Sequence, residues 1–383
     1  MLPFSYALRN LLRSKTRLAQ TVGGSALVVL LVMAATSING GMAHVLSASG
    51  SEHNVILVGA GSEESIQRSE VPENSGGIAG ATIPGITERL GIRAVSNEIH
   101  YMNHVTFGDG HRAQALLRGV TPDALRVHPE VRVLQGGFPG SGQVMAGRLA
   151  WRKFGVPADA LQPGQRLTLD GQELVISGIF AAPGTVMESE LWATLGDLRV
   201  LAKRDTLSCV VLRLDDPADF SEAELFTKQR LDLELSALRE SEYYARLSTF
   251  FRPLRAMTWL TAGLIATGAL FGGANTLYAA FASRVRELAT LQAVGFSRAS
   301  LLTSLIQECT LACLGGSLLA SVAALFLLEG RTVPFSIGAF VLEVNPQTAI
   351  AGLGTGLMLG LLGAIPPAIR CLKPSLATAL RSS

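Results

Sequence analysis

The chain has 383 residues, 48% hydrophobic and only 16% charged, with a formal net charge of +2. Soluble domains carry about 25% charged residues, so the composition excludes an ordinary soluble domain, and the near-neutral balance excludes a partner recognised by bulk charge, such as nucleic acid. The four cysteines (Cys209, Cys309, Cys313 and Cys371) are too few and too scattered for a disulfide framework and read as small buried apolar residues.

The first 17 residues form a basic segment with Arg9, Arg13, Lys15 and Arg17 and no acidic residue. No charge then occurs until Glu52, and the apolar heart of that stretch, residues 18–42, is long enough to cross a bilayer, which takes about 20 residues. A cleaved signal peptide would also place basic residues before an apolar run, but this uncharged stretch is too long for one. Residues 43–253 form a large polar region, and a C-terminal part, residues 254–383, carries three more apolar windows. These are expected as helices over about 256–283, 299–328 and 346–369, the 299–328 window broken only by Glu308. The sequence therefore predicts an α-helical membrane protein with four transmembrane helices and a mixed α/β extracytoplasmic domain inserted between helices 1 and 2. The short flanks set the orientation. Basic residues dominate the N-terminal flank, the 284–298 segment and the C-terminal tail with Arg370, Lys373 and Arg381. Both termini are thus expected in the cytoplasm and the large domain outside, in the periplasm of a bacterial inner membrane.

Within the outer region, Asn54–Gly59 reads as a strand leaving span one; Gly61–Gly80 is polar and Gly-rich, and within it SEESIQRSEVPENSGG (Ser62–Gly77) reads as a mobile loop. Asp109-Gly110 and Asp170-Gly171 are hairpin turn signals. Gln143–Gly147 leads towards a short helix over 149–154, Leu191–Ala202 reads as another helix, and Leu207–Leu214 as a strand. Ser221 to Glu224 fits a capping box. Leu231, Leu235 and Leu238 recur at helical spacing, so one nearly continuous helix is expected as far as Pro253, acting either as a plain connector or as a coupling stalk into span two. His100 and His104 lie four apart in a strand, about 13 Å, too far to share an ion; with His111 they read as surface histidines. No nucleophile–base arrangement stands out. The expected catalytic, cofactor and metal sites in this chain are none.

The segment between spans two and three carries the most information. Val285, Leu288 and Leu291 fall on one helical face, flanked by Arg284, Arg286 and Glu287, and Gly295 is placed to end the helix before Arg298. Such a face fits either docking on a soluble partner or a turn lying on the membrane. Asn275 and Glu308 are singled out inside the apolar windows, Glu308 as the one acidic residue well within them; Glu308 fits a functional path through the membrane or, the preferred reading, a structural hydrogen-bond partner. Gly272, Gly273, Ala274, Gly352, Gly354, Gly356 and Gly360 permit close helix packing in a bundle or dimer.

Two stretches carry a specific resemblance. One is FGGANTLYAAFASRVRELATLQAVGFSRASLLTSLIQECTLACLGG, from Phe271 to Gly316; the other is GAIPPAIRCLKPSLATALR, from Gly363 to Arg381. Both resemble the FtsX-like domain of MacB-type ABC transporter permeases: Asn275; the R-x-R-E of Arg284, Arg286 and Glu287; the L-x-A-x-G-x-S-R of Leu291, Ala293, Gly295, Ser297 and Arg298; Glu308; Pro367, Ala368 and Arg370; and Pro374 with the closing Ala379, Leu380 and Arg381. The N-terminal ALRNLLRSKTR looks like the family's opening. GVTPDALRV, QVMAGRLAWRKFGV and ELVISGIF look like its periplasmic core domain, with PEVRVLQGGFP departing from the family's G-R before Gln143.

The chain has no G-x-x-x-x-G-K-[ST] motif, so it cannot cradle ATP phosphates in that manner. The resemblance implies a non-catalytic permease subunit that couples ATP hydrolysis by a separate ABC ATPase, present in two copies with its ATP and Mg, to motion of the outer domains. It implies docking of that ATPase on Arg284, Arg286, Glu287, Leu288, Leu291, Gly295 and Arg298. The expected partners are a second permease copy or a close relative, membrane lipid, and a periplasmic adaptor (membrane fusion) protein serving export or efflux. Two alternatives stay open: extraction of lipid or lipoprotein from the outer leaflet, and activation of a periplasmic hydrolase without transport.

Overall fold

The computed structural model describes residues 4–373. Pro374, Ala379, Leu380 and Arg381 of the C-terminal pattern lie outside the described residues. The chain divides into two compact units. The helical unit comprises residues 1–40, 253–331 and 342–383; the α/β unit comprises residues 41–252 and 332–341.

Helix α1 (Phe4–Arg13) buries Ala7 and Leu11 and leaves Leu8 and Leu12 exposed. Helix α2 (Lys15–Ala48) runs on beyond the apolar window for 34 residues, about 50 Å at 1.5 Å per residue.

Strand β1 (Asn54–Gly59) is buried throughout. The stretch expected as a mobile loop is ordered instead. Ile66 and Val71 are buried, Val71 bridges Leu207, and helix α3 (Ser75–Thr82) follows with Ala79 buried. Three apolar anchors at wide spacing, invisible as a pattern, hold it down. The short β2 (Glu88–Arg89) and β3 (Ile92–Arg93) form a small hairpin. Strands β4 (Val95–Phe107) and β5 (Arg112–Val120) pair antiparallel around Asp109-Gly110, with Gly110 at φ +81°. Helix α4 (Ala124–Val127), β6 (Arg132–Gly136), β7 (Gln143–Gly147) and α5 (Ala150–Phe154) come next. Strands β8 (Arg166–Leu169) and β9 (Gln172–Ala181) form the second expected hairpin. Its turn residues Asp170 and Gly171 both have positive φ, +48° and +80°, as a two-residue turn of this type requires.

Residues 191–202 depart from the helix expected there. Leu191–Thr194 is strand β10, parallel to β5, and only then does α6 (Leu195–Leu201) begin, capped by Thr194 Oγ1 accepting from Asp197 N. Strand β11 is Cys209–Arg213. The capping box is not formed either: α7 (Phe220–Gln229) starts one residue before Ser221, whose hydroxyl donates to Ala218 O. The expected continuous helix is interrupted. Leu231–Leu233 is a single tight turn, Glu234 takes φ +49°, and β12 (Leu235–Arg239) pairs with β1 before α8 (Glu240–Phe250). The spacing of Leu235 and Leu238 satisfies helix and strand alike over so few residues, and the open edge of β1 decides for the strand. The sheet runs β12-β1-β11-β4-β5-β10-β7-β9-β6, with β8 joined to β4 and β9. Its core includes Leu57, Ile99, Leu117, Val210 and Leu212.

Helix α9 (Arg252–Ala282) has Pro253 in its first turn, where its missing N–H is harmless. Helices α10 (Val285–Ala293) and α11 (Arg298–Leu327) follow. The segment after α11 forms a hairpin, β13 (Thr332–Phe335) and β14 (Gly338–Val341), that belongs to the α/β unit. There Arg152 donates to Thr332 Oγ1 at 2.7 Å and Ala339 N to Ser189 Oγ at 2.9 Å. Helix α12 (Pro346–Leu372) opens on Asn345, whose side chain accepts from Thr348 N. Among the described residues, α2, α9, α11 and α12 are the four helices long and apolar enough to cross a membrane.

Close packing of α11 on α12 uses small residues. A Cβ on Gly360 would lie 2.6 Å from Thr310 Cα, and one on Gly356 would lie 1.8 Å from Ser317 Oγ. Gly352 faces Met33 of α2 in the same way, whereas Gly354, Gly272 and Gly273 meet nothing within 4 Å. The expected glycine stripe is therefore a bundle contact on one side of α12 and open on α9.

Candidate functional site

The segment from Arg284 to Arg298 folds by two local devices. Helix α10 ends on Val294, and Gly295 takes φ +108°. The Gly295 N–H then reaches Gln292 O at 3.0 Å and the Phe296 N–H reaches Leu291 O at 3.1 Å. This bond pair closes a helix end through a residue of positive φ. Two residues on, Ser297 Oγ accepts from Ser300 N at 3.2 Å and starts α11. The sequence L-x-A-x-G-x-S-R is thus a stop followed at once by a start.

The apolar face of α10 is covered from within the helical unit, which corrects the expectation that it meets a partner. Leu288 is 3% exposed and Ala289 2%. Leu288 packs in one cluster with Phe281, Leu301, Leu305, Ala368 and Cys371, against which Val285 and Leu291 also lie. The free face is the opposite one, formed by Arg286, Glu287, Thr290, Ala293 and Val294, and continuing to Gly295 and Arg298. Val294 is 74% exposed, an isopropyl group with no cover among the described residues. Burial alternates with exposure at helical period, so the face was legible; which side would be free was not.

Glu308, 4% exposed, is buried in the helical unit and is an acceptor for three elements at once. Asn10 of α1 donates to its Oε2 and Arg17 of α2 to its Oε1. Arg284, immediately before α10, reaches Oε2 at 3.3 Å and also Glu287 at 3.3 Å. Arg13 stands 3.8 Å from Glu287. Its partners were hidden in the sequence because two of them lie nearly 300 residues away. Asn275, by contrast, is exposed on α9 and not gathered with Glu308.

A second buried ionic group lies in the α/β unit, and sequence reasoning missed it. Arg118, 3% exposed, donates to Glu190 through Nε (2.8 Å) and Nη2 (2.9 Å), and to Glu98 through Nη1 (2.7 Å). Glu98 also accepts from Ser96 and pairs with His100 Nε2, each at 3.0 Å, and stands 3.4 Å from His128 Nε2. His100 is therefore buried, not at the surface as expected, while His104 is exposed. Burial opposes the charge of Glu98, yet Arg118 and the two histidines hold its carboxyl well below the ordinary range. Burial likewise opposes a charged His128, but Glu130 and Glu98 outweigh it and push the imidazole up to about 10. Glu98, His100 and Cys209 sit close enough together to recommend a metal. The oxygens of Glu98 are already occupied, and the guanidinium of Arg118 takes a cation's place. All four cysteines are buried and unpaired.

Comparisons with known proteins identify the family. The profile of the MacB-like periplasmic core domain matches residues 18–225, and that of the FtsX-like permease C-terminal domain matches residues 259–376. No curated protein matches the chain by sequence. Among solved structures, the periplasmic region of MacB from Actinobacillus actinomycetemcomitans is 11% identical, over 54% of this chain and 97% of that one, with a TM-score of 0.40. The extracellular domain of the ABC-type transporter YknZ from Gram-positive bacteria is 13% identical, over 48% of this chain and 99% of that one, with a TM-score of 0.37. Members of the matched family are membrane-embedded, carry an extracytoplasmic domain and work with a separate ABC ATPase. With one profile covering more than half of the residues and the other most of the rest, the chain belongs to the MacB/FtsX-type family of ABC transporter permeases.

Proposed function

We propose that this chain is the permease subunit of a mechanotransmission ABC transporter, with α2, α9, α11 and α12 crossing the inner membrane, both termini cytoplasmic and the α/β unit periplasmic. A separate ATPase, two copies of which bind ATP and Mg, docks on the free face of α10, and its closure moves the helices and so the outer unit, in the service of export or efflux. The observation that carries this reading is the two-sided character of α10 within a chain matching both family domains. One face is anchored in the helical unit by Leu288 and Ala289, and the other presents Arg286, Glu287, Thr290 and Val294 to solvent. A lever needs both: a face through which force leaves and a face through which it enters. Membership of the β13–β14 hairpin in the α/β unit supports placing the ends of α11 and α12 that it joins on the periplasmic side. A second permease copy is supported by α9, which turns Leu260, Leu264 and Phe271 outward beside a cleft of 440 Å³ lined by Gly24, Ser25, Gly272, Gly273 and Thr276.

The test is co-expression with an ABC ATPase of the MacB type. The tagged chain is expected to retain the ATPase on affinity resin. Val294→Asp, or Arg286→Glu with Glu287→Lys, should abolish retention while membrane abundance is unchanged. Full retention by both variants overturns the docking assignment.

A further inference from the structure

Glu308 meets one donor from each of three separate segments, and none of its partners is on its own helix. Asn10 comes from α1, Arg17 from the first turn of α2, and Arg284 from the residue that precedes α10. The side chains of Glu308, Arg17 and Arg284 are 5%, 18% and 12% exposed, so these pairs are shielded from solvent and salt. Arg284 is shared onward with Glu287 inside α10, and Arg13 of α1 approaches the same Glu287. One acidic group therefore begins a chain of contacts that ends on the face exposed by α10.

The apolar cluster under Leu288 does a different job. Apolar contact is non-directional; it decides which face of α10 is held down but fixes its rotation and register only loosely. A carboxylate with two oxygens and three directed donors fixes both at the N-terminal end. We infer that Glu308 is a positioning residue: it locks the coupling helix α10 to α1, α2 and α11, so that these segments move as one body when α10 is pushed. The functional weight of this inference rests on the docking reading above; the lock itself belongs to this chain alone.

The experiment uses the full-length chain in detergent, with the four native cysteines replaced by Ala and one thiol introduced by Ala289→Cys, a position 2% exposed on α10. A parallel chain carries Ala320→Cys, 1% exposed on α11 and packed against α2. N-ethylmaleimide labelling is expected to be slow at both. In Glu308→Gln, which keeps the shape and loses the charge, labelling at 289 should rise by about tenfold or more, as local opening does, while labelling at 320 stays slow. Glu308→Asp, which keeps the charge, should restore most of the protection at 289. Unchanged protection at 289 in Glu308→Gln overturns the proposal. A rise at both positions also overturns it, because Glu308 would then support the bundle as a whole and not α10 in particular. No ATPase is present, so these outcomes are independent of the docking test: protection can fail with docking intact, or hold while docking proves wrong.

Discussion

Both units bury a glutamate, and the two are solvated in opposite styles. Glu98 is met by neighbours in the same sheet: Ser96 and His100 two residues away on β4, and Arg118 twenty residues away on the adjoining β5. Glu308 is met by residues 24, 291 and 298 positions distant, each on a separate segment. The first arrangement begins in the β4–β5 hairpin, takes in His128 and Glu190 from elsewhere in the same unit, and makes one rigid body more rigid. The second exists only when the ends of the helical unit come together, and it constrains how helices move. The same chemistry thus acts as internal mortar in one unit and as a joint in the other.

The largest effect should come from breaking the mortar. Arg118→Met leaves Glu98 and Glu190 buried without their cation. Removing one partner of such a pair typically costs about 3–5 kcal/mol, a large part of a domain's stability. Melting of the full-length chain in detergent, followed by proteolysis within residues 41–252, is expected to show the α/β unit opening first. A variant as stable as the parent would mean that the cluster is not cohesive and would dissolve the contrast with Glu308.

Next in size is the apolar seat of the joint. Leu288→Asp places a carboxylate in the cluster of Phe281, Leu301 and Cys371, at a cost of several kcal/mol, about 3 or more, without a partner. The expected outcome is loss of the protein from the membrane, measured by immunoblot, and not the clean uncoupling that an exposed Leu288 would give. Normal abundance with loss of ATPase binding would return Leu288 to the docking face.

How far sequence alone reaches can be judged from the same residues. The long helices were legible because charge is absent over whole windows, a signal summed over 20 residues or more. The two Asp-Gly hairpins were legible because their turns demand positive φ at named positions. Strands β10 and β12 were not, since four or five apolar residues satisfy two periods and a neighbouring strand edge makes the choice. His100 was misplaced because a polar residue in a strand looks like a solvent face until Arg118 and Glu190 are brought beneath it by pairings that cross 20 and 72 residues. At α10 the helix and its apolar face were legible, but which face lies free was not. The cover over Leu288 comes from α9, α11 and α12, and nothing in the segment itself records it.

A third, smaller effect sharpens the role of His128. Its folded value of about 10, against an ordinary 6.5, means that its favourable charge contributes fully below about pH 6.5 and is lost as pH rises towards 10. Melting temperature of the α/β unit should therefore fall as pH rises between these values. His128→Leu is expected to lower stability at pH 6.5 and to flatten that slope. A parent chain whose melting does not change from pH 6.5 to 10 would show that the imidazole is neutral in the fold.

The smallest effect is the most discriminating, because it separates position from charge. Arg13 and Arg17 lie four residues apart in the same basic flank, and by sequence they are equivalent. Arg13 is 77% exposed in its side chain and stands 3.8 Å from a half-exposed Glu287. Such a pair is worth about 0–1 kcal/mol and is screened by salt. Arg17 is 18% exposed and bonded to a glutamate that is 5% exposed. Arg13→Gln should leave melting within about 0.5 kcal/mol of the parent. Arg17→Gln removes a charge from a shielded carboxylate and should lower stability clearly, by about 2 kcal/mol or more. Raising salt to about 1 M, where screening acts within about 3 Å, should erase any Arg13 effect and leave most of the Arg17 effect. If the two variants behave alike at both salt concentrations, Glu308 sits in a solvated environment. The contrast between a joint and its surroundings would then rest on the apolar seat under Leu288 alone.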